Sequence, residues 1–172
     1  MKGQGQIAPF QIRKADATDC AAILDCLGAT FERYRNEYTA GAFADTVLNS
    51  ESIERRLRDM CVLAAVADRQ IVGTIGFCVN GAEGHLRGMA VLPAWQGTGL
   101  AAALLHAAEN ELRISGCAHV TLGTTEPLKR AIRFYETHGF LATGKVSNFF
   151  GMRLYEYSKS LDNDSEQNGV TE

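Results

Sequence analysis

Gln96-Gly97-Thr98-Gly99-Leu100-Ala101 stands between an apolar, strand-like run from Leu86 to Leu92 and an apolar, helix-like run from Leu100 to Leu112. Glycine in such a turn lets the backbone approach a ligand closely. The helix that follows offers N–H groups without intrahelical partners and the positive end of its dipole. A turn of this kind seats an anion, most naturally a pyrophosphate. A G-x-G pair also opens helices that bind nothing, so the neighbouring segments must decide.

Working outward, the helix runs through Leu104, Leu105, Ala108 and Leu112, begins near Gly97 or Thr98, and stops around Ser115-Gly116, where glycine allows a left-handed cap. A strand, His119 to Leu122, follows. Pro127 then marks the first turn of another helix, continued by Ala131, Ile132 and Tyr135 and ended by Gly139. Phe140 to Val146 and Met152 to Tyr157 form a late hairpin around Asn148-Phe149-Phe150. Upstream, Phe10 to Arg13 alternates as a first strand, and Asp16 to Asp19 caps a helix carrying Ile23, Leu24, Leu27, Phe31 and Tyr34. Asn49-Ser50-Glu51 opens a short helix through Ile53, Leu57 and Met60, its arginines read as a solvated face. The aromatic, glycine-containing stretch Tyr38 to Leu48 connects these two helices. Val62 to Ala67 and Ile71 to Val79 read as a hairpin turning at Asp68-Arg69-Gln70. The resulting order predicts an α/β (α+β) fold, a mixed, mostly antiparallel sheet of about seven strands flanked by about four helices.

The chain has 172 residues, 46% of them apolar, which suits one domain over residues 1–160. The acidic segment 161–172 has too little apolar surface to offset its ordering entropy and is expected to be a disordered tail. A net charge of -3 with dispersed lysines and arginines argues against a nucleic-acid partner. No apolar run approaches the ~20 residues of a membrane span, and Met1 to Gln6 lacks a signal-peptide core. Cys20, Cys26, Cys61, Cys78 and Cys117 form no C-x-x-C pair and lie in apolar segments, as reduced thiols do. A cytoplasmic protein without membrane or metal is the expectation.

Three ligands compete for the glycine turn. A P-loop needs Lys-Ser or Lys-Thr after its last glycine, and Leu100-Ala101 occupies those places. Gly97-x-Gly99-x-x-Ala102 formally fits the dinucleotide fingerprint, with Glu126 in the region of a ribose-binding acid. That fold, however, places the turn after its first strand and then repeats strand-helix-strand units, whereas only one more helix follows here before a hairpin. The third ligand is coenzyme A. Gln96-x-x-Gly99-x-Ala101, preceded by Met89-Ala90-Val91-Leu92-Pro93 and followed by Ala131-x-x-x-Tyr135-x-x-x-Gly139-Phe140, resembles the signature of the GNAT superfamily of N-acetyltransferases. The resemblance covers Leu86 to Phe140 in the family's order. It implies that the amides of Gln96, Gly97, Thr98, Gly99, Leu100, Ala101 and Ala102 cradle the pyrophosphate of acetyl-CoA. It also implies that Met89, Ala90 and Val91 pair with the pantetheine like an added strand. One departure is Leu128, where the family often has asparagine.

Aminolysis of a thioester needs a neutral amine, a stabilised oxyanion and a proton for the leaving thiolate. An alkylammonium of pKa ~10 costs on the order of 4 kcal/mol to deprotonate at pH 7, which a base or water chain helps to overcome. His85 stands where many family members have a glutamate base, with Glu83 as a second candidate and an exposed strand-start histidine as the bland alternative. His85, Arg87 and Met89 share one face of their strand. The oxyanion donor is expected at the amide of Met89 or Ala90. Tyr135 aligns with the family tyrosine whose hydroxyl resembles a general acid beside the sulfur.

For the acceptor, Tyr38, Phe43, Phe149 and Phe150 either wall the amine site or simply pack. Arg87 suits an acceptor carboxylate, whereas Glu37 or Glu83 would suit a polyamine. Cys78 and Cys117 lack a local histidine, which argues against an acyl-cysteine route. The late hairpin offers an edge through which two copies could form a homodimer. The chain thus reads as an acetyl-CoA-dependent N-acetyltransferase acting on a primary amine of a small molecule or peptide in a ternary complex. The alternative is a catalytically silent acyl-CoA-binding module.

Overall fold

The computed structural model describes residues 8–162. Its strands are β1 (Gln11–Lys14), β2 (Cys61–Ala67), β3 (Gln70–Asn80), β4 (Glu83–Val91), β5 (His119–Thr125), β6 (Leu141–Phe149) and β7 (Met152–Ser160). Its helices are α1 (Cys20–Phe31), α2 (Ala40–Val47), α3 (Ser50–Asp59), α4 (Leu100–Ile114) and α5 (Lys129–Thr137). The strands form one sheet in the order β1-β2-β3-β4-β5-β7-β6, antiparallel everywhere except between β4 and β5.

Both faces of the central strands are covered, which is why β2 reads Cys-Val-Leu-Ala-Ala-Val-Ala with no polar residue. Period-2 alternation sorts its side chains: Leu63, Ala65 and Ala67 join α4 and α5 on one face, and Val62 and Ala64 join α1, α2 and α3 on the other. Leu100, Leu104, Leu105, Ala108 and Leu112 of α4 are wholly buried. Each such leucine contributes roughly 2 kcal/mol of transfer free energy, so α4 is fixed on the sheet chiefly by this stripe. The β2–β3 turn is two residues long, Asp68 and Arg69, both at positive φ, matching the twist of the flanking strands.

Four expectations need adjusting. The Tyr38–Leu48 connection contains a helix, α2, capped by the Thr39 hydroxyl accepting from the Ala42 amide at 3.2 Å, so there are five α-helices among the described residues. The long helix starts at Leu100, because Gly97 and Gly99 sit at φ 77° and 88°, outside helical space. The last strands run further than expected, and β6 lies at the sheet edge. Leu161, assigned to the tail, is 2% exposed, donates its amide to Ala118 O at 2.8 Å and accepts from Arg113 Nε at 3.1 Å. It belongs to the domain, and the rest of the expected tail from residue 163 lies outside the described residues. All five cysteines are free thiols, and among the described residues no helix is long and apolar enough to cross a membrane.

Candidate active site

β4 and β5 pair only from Glu83–His119 to Leu86–Leu122. Beyond that point β5 stays with β7 and β4 stays with β3, so the two strands separate into an open wedge. A bulge shapes its β4 side: Arg87 opposes Gly76 and Ala90 opposes Thr74, so Gly88 and Met89 together face Ile75. Gly88 takes φ 67°, and a Cβ there would collide with the Arg56 guanidinium. The Leu92 amide donates to Val72 O at 2.9 Å. By strand alternation the Ala90 N–H also faces β3, while the Val91 N–H and carbonyl face the wedge. The Val91 carbonyl accepts from Thr30 Oγ1 and Gln96 Nε2, each at 3.2 Å.

The glycine turn closes the end of the wedge. A single 3-10 turn, Pro93–Trp95, leads into it, and the Thr98 hydroxyl donates to Trp95 O at 2.5 Å. The first bond of α4 is Ala103 N to Gly99 O at 3.1 Å, and no side chain caps the helix. Among the described residues the amides from Gly97 through Ala102 therefore have no partner. Gln96, which bridges the turn to Val91, accepts from Arg130 Nη1 at 3.1 Å, so a cation stands beside these donors.

Wedge and turn open into one cavity of about 680 Å³, closed by α1, α5 and the β6–β7 tip. It gathers His85, Arg87, Met89, Ala90, Val91, Gln96, Gly97, Gly99, Ala101, Ala102, Tyr135, Tyr38 and Phe149 from the sequence-derived candidates. Other candidates lie elsewhere. Phe43 is 8% exposed and packs edge-on to Tyr38 with Arg35 over its ring, so it is a core residue. Glu83 stands at the start of β4 opposite Asn80, away from the cavity lining. Thr98 and the buried Leu100 contribute amides to the turn but no side chain to the lining. Phe150, at φ 51°, is exposed at the hairpin tip, where its carbonyl accepts from Thr39 Oγ1 at 2.7 Å.

Sequence reasoning missed Thr30, Asp45, Arg56 and Thr124. Arg56 was placed on a solvated face, yet it lines the cavity, and burial together with the nearby Arg87 charge pushes its guanidinium down to about 10. Arg87, offered for an acceptor carboxylate, is already paired with Asp45. Thr124, on the splayed end of β5, is 3% exposed, and its hydroxyl has no hydrogen-bond partner among the described residues. Its neighbour Thr125 shares a 2.7 Å hydrogen bond with the Tyr38 hydroxyl.

Tyr135 packs edge-on to Phe134 and Phe140, with ring centroids 5.4 and 5.6 Å away. Burial raises its phenol well above the ordinary value, so it stays protonated throughout the neutral range. His85 Nδ1 lies 2.9 Å from Thr121 Oγ1, a contact that orients the ring. Burial, with Arg87 adding to it, lowers its pKa below the ordinary 6.5, which keeps the imidazole neutral near pH 7. Cys78 has no histidine beside it in sequence, but the fold sets it directly opposite His85 across the β3–β4 ladder. Burial raises the Cys78 pKa, however, and the thiol does not line the cavity, so it remains a poor nucleophile. The arrangement brings together an anion cradle, an extended-strand slot, a protonated phenol and a neutral imidazole.

Comparison with known proteins identifies the family and the fold. Residues 22–140 match the model of the acetyltransferase (GNAT) family. An uncharacterized N-acetyltransferase of Mycobacterium bovis is 34% identical over 107 residues, covering 60% of this chain and 68% of the relative. The fold is shared with the Thermoplasma acidophilum PaiA N-acetyltransferase, solved in complex with coenzyme A. The TM-score is 0.72 at 19% identity, over 88% of this chain and 99% of that one. It is shared too with the putative acetyltransferase YncA of Salmonella typhimurium, solved with its cofactor acetyl-CoA, at TM-score 0.68 and 25% identity, covering 95% of this chain and 100% of that one. With the family match spanning most of the described residues, the chain belongs to the GNAT family of acetyltransferases, enzymes that use acetyl-CoA.

Proposed function

We propose that this enzyme transfers an acetyl group from acetyl-CoA to the primary amine of a small molecule or peptide by direct attack within a ternary complex. The observation that carries the reading is the run of partnerless amides from Gly97 to Ala102, with Arg130 beside them, opening into the same cavity as Tyr135. Those residues fit a diphosphate: several N–H donors, a helix dipole and a guanidinium converge without a competing carboxylate. The inward-facing Val91 amide and the orphaned Thr124 hydroxyl fit the peptide-like arm of the carrier.

Bound acetyl-CoA supplies an activated acyl carbon, and the chain's own groups do the rest. His85 accepts the acceptor's proton from the β4 face. The bulge amide of Met89 donates to the developing oxyanion, and we prefer it to Ala90 because the Ala90 N–H is turned toward β3. Tyr135 donates its proton to the departing sulfur.

Thiol release from acetyl-CoA across an amine panel tests the activity. Tyr135→Phe is expected to lower kcat by ~100-fold or more while leaving the KM for acetyl-CoA within about twofold. Unchanged kcat would remove the phenol from the mechanism. Acetyl-CoA binding without amine-dependent thiol release would instead favour a silent binding module.

A further inference from the structure

Every other arginine among the described residues either has a polar partner or is exposed. Arg13 pairs with Asp19, Arg35 with Glu32, Arg55 with Glu51, Arg87 with Asp45 and Arg113 with Glu109, and Arg130 bonds Gln96. Arg33, Arg58, Arg69, Arg133 and Arg153 face solvent. Arg56 alone is half-buried, lines the cavity and has a guanidinium with neither an ion pair nor a hydrogen bond among the described residues. Holding a guanidinium in that state is costly unless an anion meets it.

Its placement is specific. Arg56 leaves the last turn of α3 and lies against the β4 bulge, in the space that a side chain on Gly88 would fill. Gly88 adjoins Met89, the amide we assign to the acetyl oxygen. Among the described residues the only carboxylate in the cavity lining is Asp45, which pairs with Arg87, and Glu37 and Glu83 do not line the cavity. One carboxylate thus faces two guanidiniums, Arg87 and Arg56, which leaves a net positive charge at this end of the cavity.

We propose that Arg56 binds a carboxylate on the acceptor, and that the substrates of this enzyme are amino acids or closely similar amines bearing a carboxylate near the nitrogen. A guanidinium suits this task because its planar fork matches a carboxylate with two parallel bonds. The same charge repels polyamines, which removes one of the two acceptor classes left open by the sequence. The inference rests on the transferase reading above and specifies its substrate.

The test compares L-amino acids with their carboxamides and their decarboxylated amines. Wild-type enzyme is expected to favour the best acid over its carboxamide by about 100-fold in kcat/KM. Arg56→Met abolishes that preference through KM, Arg56→Lys restores part of it, and Arg55→Met, one residue away on the exposed side of α3, leaves it intact. Calorimetric titration of the same acids into enzyme saturated with free CoA reads binding without turnover and should show the same Arg56 dependence. An acid preference that survives Arg56→Met overturns the proposal, as does failure of every acid to bind a protein that binds CoA. Absence of CoA binding instead defeats the transferase reading. In that case, stabilisation of the protein by acids alone, lost in Arg56→Met, would still support the anion site.

Discussion

At the scale of single residues, the chemistry depends on what each group's surroundings do to its proton. His85 is partly buried beside Arg87, and both effects lower its pKa, so its neutral form persists as pH falls through 6.5. With His85 as the base, kcat/KM should hold through pH 6.5 and fall only below it, and the acid limb should disappear in His85→Gln along with most of the rate. A limb at or above 6.5, or one that survives the substitution, would assign the base elsewhere. Tyr135 was readable because it stands on α5 at a fixed spacing from Gly139 and Phe140, just beyond the end of that helix. Arg56 carried a signal of its own: with Ile53, Leu57 and Met60 it completes an i, i+3, i+4, i+7 stripe that faces inward. Charge outweighed spacing in that reading. The Cys78–His85 juxtaposition left no local trace, because strand register is a non-local property.

At the scale of elements, the site is made by one strand leaving its neighbour and one helix beginning without a cap. The turn and the long helix could be located from glycine placement and the leucine stripe. The point where β4 leaves β5 could not, since it depends on β7 taking over the pairing of β5. Likewise α2, eight residues long and containing Gly41, has too weak a local preference to stand out before it packs. The helix start itself is testable. A Cβ at Gly99 would meet nothing within 4 Å, so substitution acts through the backbone, whose φ of 88° costs a β-branched residue about 1–3 kcal/mol. Gly99→Val should raise the KM for acetyl-CoA by about tenfold or more as the amides are re-aimed, with the acceptor preference unchanged. An unaltered KM would mean that the turn does not hold the carrier.

At the scale of the whole molecule, a sheet covered on both faces keeps the two halves of the site in fixed relation. Helices α4 and α5 share one core with β2, β3, β4 and β5, which holds the amide cradle and Tyr135 on a common support. α1 and α3, packed on the opposite face, bring Thr30 and Arg56 to the other side of the same cavity. The leucine stripe of α4 made its packing on the sheet legible in advance, whereas the face that each residue of the uniformly apolar β2 joins, and the acceptor wall, depended on tertiary contacts.

The central claim is that the partnerless amides from Gly97 to Ala102 grip the diphosphate of the acyl carrier. Parallel calorimetric titrations with coenzyme A and with pantetheine, which keeps the thiol arm but lacks the diphosphate and nucleotide, test it most directly. The account predicts saturable binding of coenzyme A and a loss of about 100-fold or more in affinity for pantetheine. Equal affinity for the two, or no uptake of coenzyme A by the folded protein, would contradict it.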